Sequence, residues 1–92
     1  GYTSFNVQAV SPDGRYVAGV GVNLAAPTVS DRQKRLMVDT WGGAVVLLTD
    51  VLGCDALPAG LQFLPDGSVV CVAQTTPSTQ SLVRVTGWEA PL

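Results

Sequence analysis

Ser11-Pro12-Asp13-Gly14 leads into Arg15-Tyr16-Val17-Ala18, and Leu64-Pro65-Asp66-Gly67 leads into Ser68-Val69-Val70-Cys71. Proline presets φ at the first central position of a turn, aspartate accepts the second, and glycine supplies the positive φ that releases the chain into a new strand. Each copy therefore predicts a β-hairpin turn feeding a strand, with Pro12, Asp13, Gly14 and Pro65, Asp66, Gly67 as the turn-defining residues. Two copies in 92 residues point to an internal repeat.

Working outward, Ser4 to Val10 alternates, with Phe5, Val7 and Ala9 on one face and Ser4, Asn6 and Gln8 on the other. Tyr16 to Val22 continues past the turn. Gly19 and Gly21 leave room on one face for a neighbour to approach. Asn23 to Lys34, broken by Pro27, reads as a polar loop, although Ser30-x-x-Gln33 with Asp31 offers a competing capping-box signal. Arg35 to Thr40 is a strand, Trp41-Gly42-Gly43 a turn, and Ala44 to Thr49 an apolar strand buried on both faces. Asp50 to Gly60 is expected to be an irregular connector. Leu61 to Leu64, Ser68 to Gln74 and Ser81 to Thr86 complete the second unit, with Thr75 to Gln80 a polar loop.

Pro12 and Pro65 stand at the same interval as Ala18 and Cys71. Leu36 and Val38 then match Val83 and Val85 if the intervening loop is shorter in the second copy. By the same interval Trp41 and Trp88 are equivalent. Length differences confined to a loop are what a repeat tolerates. The expected architecture is all-β: antiparallel sheets in one domain spanning 1–92, with repeat units of about 4–52 and 60–92. The first unit has four strands and the second three. A small β-sandwich or barrel is the alternative.

The runs SPDGRYVAGVG, RLMVDTWGGAVVLLTD, LQFLPDGSVVCVAQ and SLVRVTG resemble the TolB-type β-propeller repeat. Asp39, Gly42, Gly43 and Thr49 fall where that repeat carries its aspartate, glycine pair and threonine. The resemblance implies four-stranded antiparallel blades, of which this chain holds fewer than two, and transfers no catalytic residue. Propellers of this type close with more blades than this chain holds, and the second unit lacks its fourth strand. A weaker similarity is to bacterial extracellular repeats carrying A-V-S-x-D-G-x-V-V-G.

Composition narrows function. Hydrophobic residues make up 47% of the chain and charged residues 13%. So little charge leaves surface unguarded and favours a buried interface. A net charge of −2 argues against a phosphate-binding surface and hence against nucleic acid as a partner. Arg32, Lys34 and Arg35 read as a solvated run. No segment approaches the about 18 apolar residues of a membrane-spanning helix, and no signal peptide is visible at the start. Gly1 reads as what remains after removal of an initiator Met, or as a scar of processing. There is no histidine, which removes the commonest general base and zinc ligand.

No nucleophile triad, metalloprotease motif or phosphate loop is present, and Gly19-Val20-Gly21 lacks the third glycine of a dinucleotide site. Cys54 and Cys71 are too few for zinc. The apolar setting of Cys71 favours free structural thiols over a disulfide. The seven acids fall largely at turns and strand ends, so neither a catalytic carboxylate pair nor a calcium loop is expected, and no cofactor is assigned.

The expectation is a non-enzymatic structural or assembly subunit whose partners are copies of itself or a larger protein assembly. A virion component (capsid decoration or tail) or a surface-layer component is of this physical type. Two alternatives stand beside it: an oligomeric propeller that binds a glycan or small ligand, and a fragment of a longer TolB-like propeller. Trp41 and Trp88 are the candidate interface or ligand-stacking residues, since tryptophan both anchors interfaces and stacks on sugar rings.

Overall fold

The computed structural model describes residues 2–90, so the expectations placed on Gly1, Pro91 and Leu92 lie outside the described residues. Strands β1 (Ser4–Val10), β2 (Tyr16–Val22), β3 (Gln33–Asp39) and β4 (Val45–Leu47) form one antiparallel sheet in meander order. Strands β5 (Ala56–Phe63), β6 (Val69–Thr76) and β7 (Thr79–Val85) form a second, also in meander order. The all-β class and the four-plus-three strand count are those the sequence predicts.

The first strands of the two sheets, β1 and β5, lie against one another. Farther out, the helical turn α1 (Leu48–Leu52) packs on β3, β4 and β5. One buried cluster joins both sheets: Tyr16, Ala18 and Met37 from the first, Leu61, Phe63, Val69 and Cys71 from the second, with Leu48, Val51 and Leu52 of α1. Met37, Leu48, Val69 and Cys71 are fully buried.

Several expected boundaries move. The apolar run 44–49 is not a strand buried on both faces. Only Val45–Leu47 pairs with β3, and Val45 and Leu47 are exposed. From Leu48 the chain turns helical, because Leu48, Val51 and Leu52 stand at i, i+3 and i+4 and all three reach the core on one face. Gly53, at φ 70°, ends the turn with its N–H donating to the Thr49 carbonyl. The connector 50–60 is correspondingly short, and β5 begins at Ala56, ahead of the expected start of the second unit. Pro58 is tolerated there because β5 breaks register with β6 between Leu57 and Gln62.

In the β2–β3 connection the capping box does not form. A single 3₁₀ turn, Val29–Asp31, is entered from Thr28, whose hydroxyl bonds Asp31, and Gln33 already belongs to β3. The basic run is paired: Lys34 with Asp31 at 3.1 Å and Arg35 with Asp55 at 2.7 Å, while Arg32 Nε donates to the Ala26 carbonyl. The polar loop 75–80 shrinks to Pro77 and Ser78, since β6 runs on to Thr76 and β7 starts at Thr79.

Pairing also corrects the repeat register. Ala18 faces Met37 in the first sheet and Cys71 faces Val83 in the second. Val83 is therefore the counterpart of Met37, and Val85 that of Asp39, one residue away from the sequence match to Leu36 and Val38. A one-residue slip exchanges the two faces of a strand. Val83 and Val85 accordingly pack on the core, as Met37 does, whereas Leu36 is buried on the far face of its sheet.

On that far face the two strand glycines have the role expected of them. A Cβ on Gly19 would stand 2.1 Å from the Asn6 carbonyl oxygen, and one on Gly21 2.6 Å from Leu36 Cδ1. Absence of a side chain is what lets β1 and Leu36 lie so close.

Candidate functional site

The two Pro-Asp-Gly turns sit at one end of the paired sheets, and the side chains they carry converge there. In the first, Gly14 N–H donates to the Ser11 carbonyl at 2.9 Å. Ser11 Oγ accepts from Tyr16 N–H at 2.9 Å and donates to Asp13 at 2.7 Å. In the second, Gly67 N–H donates to the Leu64 carbonyl at 3.0 Å. Leucine there has no hydroxyl, so Ser68 takes over and donates to Asp66 from both N–H (2.9 Å) and Oγ (2.6 Å). Gly14 and Gly67 have φ of 76° and 89°, as the turn reading requires. These hydrogen bonds, from Ser11 and from Ser68, hold the Asp13 and Asp66 carboxyls below their ordinary range.

Antiparallel pairing sets Tyr16 opposite Asp39, which brings the neighbouring Arg15 to that carboxylate. Arg15 Nε and Nη2 each donate to Asp39 at 3.2 Å, and the N–H groups of Trp41 and Gly42 donate to the same carboxylate at 3.0 and 3.2 Å. The Arg15 contact above all keeps Asp39 ionised at lower pH than usual. The guanidinium also lies 4.9 Å from the centroids of both the Tyr16 and Trp41 rings. Trp41 is thus fixed from beneath and at its backbone while its ring stays 66% exposed.

Trp88 is placed quite differently, and the expected equivalence of the two tryptophans fails. Its ring is 4% exposed, edge-on to Tyr16 at 4.8 Å and tilted against Phe63 at 5.7 Å. Its Nε1–H donates to the Gly67 carbonyl at 2.9 Å. Trp88 therefore ties the second turn to Tyr16 of the first unit, and of the two tryptophans only Trp41 is largely exposed. The shift in register described above is the reason, since it breaks the interval on which the match was built.

Between the turns lies a cleft of about 240 Å³. Tyr16, Phe63 and Trp88 wall it, Pro12 and Pro65 rim it, and Asp13 and Glu89 contribute carboxylates. Glu89 was not singled out in the sequence. Nothing short of the fold could have found it, because it follows Trp88 on a terminal turn with no motif around it.

Beyond this end, apolar side chains stand in solvent at the sheet margins: Val7 and Val10 on β1, Val45 and Leu47 on β4, and Leu82 on β7. The thiols of Cys54 and Cys71 are free. Burial pushes the Cys71 thiol up to about 11, with Cys54 beside it adding to the effect. Among the described residues no group of three or more metal-ligating side chains comes together, and no helix is long and apolar enough to cross a membrane.

No protein-family model matches this chain, and no curated protein or solved structure matches it.

Proposed function

We propose that this chain is a non-enzymatic assembly subunit that works through protein–protein contacts. The observation that carries this reading is the free margin of β7. Seven residues pair with β6 on one side and with no strand among the described residues on the other, and Leu82 is 74% exposed. An unpaired edge of that length is a template for strand addition, and native proteins ordinarily cover, twist or charge it. Here Arg84 alone supplies charge, and it is engaged with Asp66.

Trp41, Val45 and Leu47, at or beside the β3–β4 turn, add exposed apolar side chains of the kind that anchor interfaces. The resemblance to a TolB-type repeat adds the expectation that each unit is a four-stranded blade, and the second sheet holds three strands among the described residues. On this reading strand β1 of one copy, or a strand of a larger assembly such as a virion or surface layer, completes the second sheet along β7.

Sedimentation velocity over a micromolar concentration range tests the proposal. Self-association, or incorporation into a larger particle, is expected, with Leu82→Lys weakening it. A cooperatively folded, monodisperse monomer across that range overturns self-assembly.

A second reading has its own support. Trp41 offers a flat, pre-oriented ring, and such rings stack on sugars. Glycan-array binding that is lost in Trp41→Ala, with association unchanged, would favour it over an interface role.

A further inference from the structure

We propose that the cleft between the two Pro-Asp-Gly turns is a binding site for an arginine side chain presented by a partner protein. This goes beyond the assembly reading and does not rest on it, since a dissociated chain retains the whole cleft.

Three features converge. The walls are the exposed margins of three aromatic rings, Tyr16, Phe63 and Trp88, which are otherwise buried. The charge lining it is of one sign, Asp13 and Glu89, with no lysine or arginine among its lining residues. One acceptor is left over. Glu89 Oε2 is sealed from solvent and takes no hydrogen bond. A buried carboxylate oxygen without a donor carries its desolvation cost uncompensated, and such groups are rare in folded chains.

Neither Arg15, beside the first turn, nor Arg84, bonded to the second, relieves it. Arg15 is held by Asp39, and Arg84 donates to Ser68 and Asp66. A donor brought in from outside can. A turn of the Glu89 side chain toward the cleft exchanges the unpaired oxygen for a charge-assisted hydrogen bond.

Size and shape select the guest. The volume, about 240 Å³, is below the roughly 300–1,000 Å³ of pockets for drug-sized ligands, and suits one side chain. Guanidinium is planar. It packs against aromatic rings while its in-plane N–H groups reach a carboxylate, and it is less strongly hydrated than an ammonium. Arginine therefore fits both the walls and the acids, whereas lysine meets only the acids.

Titration of the ¹⁵N-labelled chain with acetyl-Gly-Arg-Gly-amide, followed by NMR, tests this. The Trp88 indole N–H and the Gly67 amide report the cleft, and Trp41 reports non-specific binding elsewhere. The expected result is a saturable shift at Trp88 and Gly67, with the citrulline peptide, a neutral isostere, at least tenfold weaker and the lysine peptide intermediate. Glu89→Gln should weaken the arginine peptide about tenfold. Equal binding of arginine and citrulline peptides overturns the proposal, as do shifts confined to Trp41. Lysine binding as tight as arginine overturns the choice of guanidinium. The peptide comparison uses the unaltered chain, so it decides the matter even if Glu89→Gln misfolds.

Discussion

Replacing each tryptophan in turn separates two residues that the sequence presents as a matched pair. Trp88→Ala removes a side chain that is 4% exposed, breaks aromatic contacts at 4.8 and 5.7 Å, and leaves the Gly67 carbonyl without its indole donor. Large-to-small changes of a buried tryptophan cost about 3–5 kcal/mol. The aromatic pairs, each worth about 0.5–1.5 kcal/mol beyond area, place Trp88 toward the upper end of that range. Small domains have about 5–15 kcal/mol in total, so the variant is expected to be marginal. A loss of about 4 kcal/mol corresponds to a fall in Tm of roughly 16–32 °C for a domain of this size.

Trp88→Phe keeps the ring contacts and forfeits the hydrogen bond, so its cost should be about 1–3 kcal/mol. Trp41→Ala loses only an exposed contact with Arg15, worth about 0.5–1 kcal/mol. Urea unfolding followed by far-UV circular dichroism gives all three numbers on one scale. The order Trp88→Ala, then Trp88→Phe, then Trp41→Ala is required. Equal losses for the two alanine variants, or a larger one for Trp41, would sink the placement of Trp88 as the link between the turns and restore the equivalence read from spacing.

Three further outcomes follow from the same structure. Gly19→Ala sets a methyl group against the Asn6 carbonyl, so it should cost about 1–3 kcal/mol and release β1 first; hydrogen exchange that speeds up equally in β1 and β3 would refute this. Cys54 is half-buried and Cys71 fully buried with its thiol raised to about 11. At pH 8 a disulfide reagent should therefore modify one thiol quickly and the second only on unfolding, and two equal fast phases would contradict it. Asp13, Asp39 and Asp66 all have carboxyls lowered from 3.8 on folding. A lowered acid stabilises the fold above its unfolded value and loses that contribution as pH falls through the folded one. Stability should thus be level near neutrality and decline below about pH 4, less steeply in Asp39→Asn, which is already weakened at pH 7; a parallel decline in both proteins would exclude Asp39 as a source.

What the sequence conveyed and what it withheld divide along physical lines. Turns were legible because Pro-Asp-Gly restricts φ locally, and both hairpins stand where those residues put them. Strand class was legible from alternation and β-branched content. Register was not. It depends on which of two faces meets the core: Arg84 marks the outward phase of Leu82-Val83-Arg84-Val85, but Leu36-Met37-Val38 is apolar in either phase, so nothing local shows that Met37 rather than Leu36 matches Val83. In the first sheet Gly21 leaves room for Leu36 on the far face, so both Leu36 and Met37 are buried. In the second, Val83 and Val85 pack inward while Leu82 stands in solvent. A leucine that is buried in one sheet and a leucine that is exposed in the other are thus the visible mark of what differs between the two units. The first sheet covers its far face with Tyr2 and Phe5 brought close by the strand glycines, and β6 carries no such glycines. The exposed face at Leu82 therefore arises from residues within the strands themselves, whereas the edge of β7 is open because no fourth strand pairs with it among the described residues, and the proposed partner has both to cover.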